Sequence, residues 1–348
     1  MLINLILFIL ILTVIVAFHE FGHFLFAKLF GVYVYEYAIG MGPKLWGKKK
    51  GETEYSIRAI PIGGYCQLAG ENLDDDDAKK VPKDRRLQSK PAWQRFLIMC
   101  FGPLNNFILA VVILFFIALI FGGSTMKPVI SQVENLSAAE QAGLRDGDTI
   151  LKINGHKIST NDDISLYLAI ADPTKKSTFE VKRVDGSLAT IEVKPQEEKV
   201  DGKTSYHYGI GLAQEQTKGF INAFVWTFKK TKSIFKQMFI TVGSLFSGGI
   251  KLTQLSGPVG IYSVVGKSRS GGVQNILYLM AFLSINVGFI NLLPIPAFDG
   301  GHILFILIEI IKGSPVKPEI ENKIHTVFLL LLMLLMLYIT FNDILRLF

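Results

Sequence analysis

The chain carries four long apolar runs, Leu2 to Phe26, Phe96 to Phe121, Ile276 to Ile311 and Val327 to Phe341. A hydrocarbon core about 30 Å thick needs about 20 apolar residues of helix to cross it. The runs therefore predict four transmembrane helices and argue against an ordinary soluble fold. Composition agrees, with 50% hydrophobic residues and a mean hydropathy of +0.38, both pointing to the membrane class. The first run has no charged leading segment and no small-residue cleavage site, and it continues to Ala27, so it is expected to be a retained anchor. The net charge of +7 does not imply nucleic acid, because Lys and Arg are scattered as flank charge with no basic stripe interleaved with aromatics. Cys66 and Cys100 belong to no CxxC or Cys/His cluster, which argues against a zinc site built on them.

The third run is too long for one plain span and is interrupted by NLLPIPAFDGG, Asn291 to Gly301. Its two prolines remove backbone donors and force a kink or unwinding. Lipid tolerates such a break only where neighbours or an internal cavity satisfy the freed backbone, so the break predicts a buried site. The loop after the first span is dense in Lys and Arg, which places it on the cytosolic face. Both termini and the region from Thr125 to about Gly272 then lie on the other side. The acidic run Asp74 to Asp77 weighs little in this orientation and is expected to be a solvated loop.

Within the cytosolic loop, VYVYEYAIG (Val32 to Gly40) and EYSIRAIPIGGYCQL (Glu54 to Leu68) alternate as strands do. The turn formers of GMGPKLWGKKKG between them predict one or two hairpins, whose apolar character suggests that they dip toward the membrane. Beyond Thr125, strand segments, a short helix and a Gly-Asp turn follow one another, and TFEVKRVDGSLATIEVKP adds a hairpin about Asp185 and Gly186. From Gly219 to Gly249, aromatic and apolar residues alternate with Lys229, Lys230, Lys232 and Lys236. That is the pattern of a helix in the headgroup layer or of a packing helix.

The first apolar run contains HEFGH. His19 and His23, four apart, share one helix face and can aim ring nitrogens at a single ion. Glu20 completes H-E-x-x-H, where the glutamate serves as general base for a metal-bound water. Three ionisable residues at mid-span cost roughly 2.5 to 3.5 kcal/mol each on insertion scales, an expense that a metal site explains and chance does not. Catalytic zinc takes three protein ligands, and Asp299, His302 and Glu309 are candidates for the third. His19 lies roughly 25 Å along its helix and Asp299 roughly 35 Å along the third if fully helical. Unwinding shortens the second figure and favours Asp299, while His302 and Glu309 read as polar groups bonded near the cytosolic interface.

Two resemblances follow from these stretches. AGLRDGDTILKINGHKI resembles PDZ domains of the type attached to bacterial proteases, in which a strand-plus-helix groove takes an extended peptide. HEFGH, the PDZ-like insertion and N-x-x-P-x-P-x-x-D-G (Asn291, Pro294, Pro296, Asp299, Gly300) together resemble the site-2 protease family of intramembrane zinc metalloproteases, most closely the bacterial regulators of sigma-E type. GMGPKLW, IPIGGY, FGPLNNF and LSGPVGI support the match over nearly the whole chain. Phe298 stands where family members often carry leucine, and one PDZ domain is seen where some relatives have two.

The resemblance implies His19, His23 and Asp299 as ligands of one Zn2+, Glu20 as base, and Asn291 as a binder of substrate backbone or oxyanion. Asn291 could equally satisfy backbone freed by the prolines. Asn106 matches an asparagine of the second-span motif, and helix packing explains it as well. The expected fold is a polytopic α-helical membrane protein with four transmembrane helices, a membrane-associated β-hairpin region and an inserted extracytoplasmic α+β PDZ domain. The boundaries are 1–30 for the first transmembrane helix, 31–92 for the cytosolic hairpin loop, 93–122 for the second helix and 125–200 for the PDZ domain. A linker with an amphipathic helix takes 201–272, the third helix 273–311, and a short cytosolic loop with the fourth helix 312–348. The implied function is intramembrane proteolysis of single-span proteins, such as anti-sigma factors or signal peptide remnants, in the cytoplasmic (inner) membrane. The alternative is an inactive PDZ-bearing adaptor or transporter that retains a metal site.

Overall fold

The computed structural model describes residues 1–71, 79–200, 203–213, 215–250 and 252–346. The acidic run Asp74 to Asp77 lies outside the described residues. The chain divides into two compact units, one formed by Met1–Leu114 with Leu255–Phe348 and the other by Phe115–Gln254.

In the first unit, helix α1 (Leu2–Leu29) is followed by strands β1 (Val34–Lys50) and β2 (Thr53–Leu68) and by helix α2 (Ala92–Ile120), whose residues from Phe115 on belong to the second unit. After the second unit come α6 (Pro258–Ser270), α7 (Gly272–Leu292), α8 (Asp299–Lys312) and α9 (Pro318–Leu345). Among the described residues, four helical segments are long and apolar enough to cross a membrane: Leu2–Leu29, Ala92–Ile120, Gly272–Leu292 and Glu319–Leu345. Their outward residues are large and apolar; Leu2, Ile6, Leu10, Phe18, Phe21 and Leu25 of α1 are all exposed.

The expected third run is two helices. α7 ends at Leu292 and α8 restarts at Asp299, and the 14 residues of α8 are too few to cross a bilayer alone. The break is held by its own backbone: Ile295 N–H donates to Leu293 O at 2.6 Å and Phe298 N–H to Ile295 O at 3.2 Å. The glycines after Asp299 let the coil fold onto the helix start, since a Cβ on Gly300 would stand 1.9 Å from Leu293 O.

Small residues also set the helix seams. A Cβ on Gly22 would meet Phe101 O at 2.0 Å, and one on Gly288 of α7 would meet Pro103 O at 2.8 Å. Close backbone approach of this kind is how helices associate where no hydrophobic force drives them together. The LSGPVGI stretch opens α6, whose first N–H groups at Gly257 and Gly260 are both accepted by Asp343 Oδ2 of α9 at 2.8 Å.

β1 and β2 correct the turn expected at GMGPKLWGKKKG. That stretch is strand: Trp46 pairs with Ile57 and Lys50 with Thr53, so the chain reverses at Gly51–Glu52. The residues read as turn formers act as bends, with Gly40 and Gly42 at φ +87° and +81°, conformations that glycine alone adopts freely. Glu36 to Ile39 face Glu54 to Ile57 on one side and Gly64 to Gln67 on the other, so two long strands lay four segments side by side. Glu52 fastens the reversal to its surroundings. It accepts from Arg85 at 2.6 and 2.8 Å and from Lys28 at 2.7 Å. These cations hold its carboxyl down at about 2, Arg85 first.

The second unit has short paired strands β3 (Gly123–Ser124) and β12 (Gln216–Thr217), and β4 (Ile130–Val133) and β11 (Ile210–Leu212). Helix α3 (Ala138–Ala142) starts at Ser137, whose side chain accepts from Glu140 N–H, and ends at left-handed Gly143. A four-stranded sheet has the order β6 (His156–Lys157), β5 (Thr149–Ile153), β7 (Ser177–Lys182), β8 (Leu188–Val193). Helix α4 (Asn161–Ile170) opens with a capping box between Thr160 and Asp163. Phe179, Ile150, Ile153, Ile164 and Val181 form a core 0–1% exposed. A hairpin, β9 (Gln196–Val200) with β10 (Lys203–His207), leads to β11. Because β11 pairs back with β4, and Tyr208 and Ile210 pack on the core, this unit continues past residue 200, where the sequence reading ended its soluble domain.

Helix α5 (Phe220–Phe246) closes the unit. Two of its lysines are tied down, Lys230 to Asp162 at 2.7 Å and Lys236 to Asp163 at 2.8 Å. One flank of it therefore packs on α4, while Phe220, Ile221, Phe224 and Phe228 remain exposed.

Candidate metal centre

His19 and His23 lie on the buried face of α1, each 7% exposed. Their Nε2 atoms are 3.3 Å apart and their rings stand at 78°. Asp299, the first residue of α8, brings Oδ2 to 3.0 Å from His19 Nε2 and 3.4 Å from His23 Nε2. That oxygen is buried and has no hydrogen-bond partner. A tetrahedral zinc with donors at about 2.1 Å sets neighbouring donors about 3.4 Å apart, so the spacing of these three atoms fits such an ion.

The outer nitrogens of the rings say the same. His23 Nδ1 is 2.9 Å from Ile98 O, which can only accept, so the proton sits on Nδ1 and Nε2 keeps its lone pair. His19 Nδ1 is 3.3 Å from Asn106 Nδ2, while Asn106 Oδ1 is buried without a partner. A half-turn of the amide exchanges those two atoms. Oδ1 then accepts from His19 Nδ1–H, and His19 Nε2 is free to bind metal. Holding the far ring nitrogen in this way is the usual support of a metal-bound histidine.

Backbone packing brings α2 against the pair. A Cβ on Gly102 would stand 2.2 Å from His23 Nε2, so the glycine of FGPLNNF clears the space that the imidazole fills. Ser284 of α7 donates to Asn106 O at 2.8 Å and pins the same turn from the other side.

The three donors and Glu20 open on a cavity of about 410 Å³, walled by Tyr65 to Leu68 of β2 with Met99 and Glu71. Glu20 Oε2 accepts the Cys66 N–H at 3.0 Å, which orients the carboxylate and leaves Oε1 for other work. Cys66 pairs with Tyr37 through the strand, yet its N–H points to Glu20, so this edge of β2 faces the cavity. Burial pushes the Glu71 carboxyl and the Cys66 thiol up from their usual ranges. Glu36, despite its own desolvation, is held below the usual range by Ser56, Tyr65 and Arg58. Those bonds stiffen the sheet behind the wall.

The other candidates lie elsewhere. Glu309 pairs with Arg95 at 2.5 Å, and His302 Nδ1 lies 3.4 Å from Glu321; neither lines the cavity, as expected of groups paired outside the centre. Asn291 donates from Nδ2 to Val287 O, one turn back on its own helix, at 3.0 Å, and it too is absent from the cavity wall. Glu71 and Asn106 were given no role at this centre by the sequence. Asn106 had a signal in its motif, whereas Glu71 is masked by the acidic run beside it.

The family described as Peptidase family M50 matches residues 7–335. Regulator of sigma-W protease RasP of Bacillus subtilis (strain 168) is 34% identical over 98% of this chain and 98% of its own length. A protein of Clostridium perfringens (strain 13 / Type A) is 38% identical over 94% of each chain. Zinc metalloprotease RasP of Geobacillus kaustophilus (strain HTA426) is 31% identical over 98% of this chain and 97% of its own.

Proposed function

Because the chain belongs to peptidase family M50, the site-2 protease family, and is a zinc metalloprotease, we propose that it cuts single-span membrane proteins within or beside their transmembrane segments. His19, His23 and Asp299 hold the zinc in this reading, and Glu20 is the general base. The observation that carries it is the meeting of those three donors, a free carboxylate oxygen and the Tyr65 to Leu68 stretch of β2 in one cavity among long apolar helices.

When bound, the ion supplies Lewis acidity, polarising a scissile carbonyl and making water acidic enough to lose a proton near neutral pH. The protein does the rest. Glu20 takes the proton on Oε1 and returns it to the departing amine nitrogen, while the Cys66 N–H keeps Oε2 in place. A peptide bond inside a helix is shielded by its own hydrogen bonds, so the substrate must be drawn out as an extended strand. The hairpin edges between Val32 and Leu68 offer it main-chain partners by strand addition. Asn291 serves the substrate backbone or the oxyanion if its side chain leaves Val287 O when substrate enters.

The substrate class follows the relative whose name makes it a regulator of sigma-W: anti-sigma factors or signal peptide remnants, trimmed beforehand on their outer side. The soluble unit that begins near Thr125 and runs on through β11 supplies a PDZ-type module that helps to exclude untrimmed proteins, supported by the AGLRDGDTILKINGHKI run. The basic loop after the first span faces the cytosol, and residues from Thr125 to about Gly272 lie beyond the opposite face of the cytoplasmic membrane.

Cleavage of a reconstituted single-span substrate tests the reading directly. Glu20→Gln should keep zinc and lose cleavage by more than about a hundredfold, Asp299→Ala should lose zinc, and a chelator should stop the wild type. Peptide binding with full zinc and no cleavage in the wild type would instead favour the adaptor.

A further inference from the structure

The coil that delivers Asp299 contains a strained residue. Ala297 sits at φ +86°, a left-handed conformation that residues with a Cβ seldom adopt. Its N–H is donated to Nδ1 of His325 on α9, at 3.0 Å. One residue, Phe298, separates Ala297 from Asp299, and it is extended at the cap of α8. Little slack remains between the strained turn and the carboxylate.

We propose that His325 is a positioning residue for Asp299: by accepting the Ala297 N–H it locks the left-handed turn and thereby sets where Asp299 Oδ2 meets His19 and His23. The proposal rests on Asp299 being a zinc ligand. The imidazole is itself well fixed. His302, one turn into α8, stacks on it with centroids 4.2 Å apart and planes at 21°, and Phe305 lies 5.5 Å away. Glu321 Oε1 is 3.4 Å from His302 Nδ1; at 3.9 Å from His325 Nε2 it makes no hydrogen bond to that ring, whose Nε2 is buried without a partner among the described residues. His325 therefore grips the chain on both sides of Asp299, through the Ala297 backbone before it and the His302 ring after it.

The donors of His302, Glu321 and His325 lie within 4.8 Å of one another, a spacing that would admit a second metal ion. The tautomer argues otherwise. An imidazole that binds metal through Nε2 gives its Nδ1–H to an acceptor, as His23 does to Ile98 O. His325 Nδ1 instead accepts an N–H, so the proton of the neutral ring sits on Nε2. One histidine meets a carbonyl and is equipped as a ligand; the other meets an amide and is equipped as a clamp.

The test uses the full-length protein in detergent, with zinc affinity measured by competition against a chromophoric chelator and a thermal unfolding midpoint for each variant. His325→Leu fills the ring's space without an acceptor, and His325→Asn keeps an acceptor oxygen as many bonds from Cα as Nδ1. His325→Leu should weaken zinc binding about 10- to 100-fold, His325→Asn should restore most of it, and Asp299→Ala should weaken it further. Wild-type zinc affinity in His325→Leu, with zinc lost in Asp299→Ala, would overturn the proposal. So would equal loss in the Leu and Asn variants, which would reduce His325 to packing. Zinc retained by Asp299→Ala would remove the ligand assignment itself, a different failure. If His325→Leu does not fold, His325→Ala takes its place against His325→Asn in the same comparison.

Discussion

The two units solve the burial problem in opposite ways. In the unit of residues 115–254, Phe179, Ile150, Ile153 and Val181 are 0% exposed, and ion pairs such as Lys152–Glu180 and Lys176–Glu192 lie outside. In α1, large apolar side chains face outward while His19 and His23 are inside. Water drives the first arrangement. The second suits a solvent that cannot hydrogen-bond, where polar groups must find partners within the protein. In such a setting close packing and polar contacts carry stability, because apolar burial gains nothing over lipid.

That contrast can be broken or sharpened by substitution. The largest effect is expected from Gly22→Ala: a methyl 2.0 Å from Phe101 O must part α1 from α2. Cleavage of a single-span substrate should fall by at least about a hundredfold, since misplacements of about 1 Å cost that much. Phe179→Ala should destabilise residues 115–254 by about 3–5 kcal/mol, read as faster limited proteolysis in that region. Leu10→Ala, also a large-to-small truncation but outward on α1, should change unfolding far less; a comparable loss would erase the contrast. Asn106→Ala should lower zinc affinity about 10- to 100-fold, measured by chelator competition, with little change in unfolding.

The smallest effect concerns Glu52. Its carboxyl, at about 2 in the folded protein against an ordinary 4.5, contributes stability that is fully present above 4.5 and lost as pH falls toward 2. Glu52→Gln should flatten the unfolding midpoint across that window, and because the side chain is 24% exposed the difference should be slight.

Much of the site was legible in the sequence because helical period and proline chemistry are local. HEFGH states that two imidazoles share a face, and PIPAFDG states that the chain breaks just before a carboxylate. What was not legible depends on partners far along the chain. Whether Gly40 and Gly42 turn or merely bend a strand is decided by the pairing of Trp46 with Ile57. An amide at Asn106 reads alike whether it packs or holds His19, and nothing near His325 announces that it accepts an N–H 28 residues away. The domain end at residue 200 was missed because β11 is three residues long and shows itself only through β4.

The bond from the Cys66 N–H to Glu20 has a genetic consequence. The donor is main chain, so no point substitution other than proline can delete it. Register is what protects it: consecutive N–H groups on a strand point to opposite edges, and a one-residue slip reverses them all. Single-residue insertions and deletions between Gly63 and Leu68 should therefore be far less tolerated than replacements at the same positions.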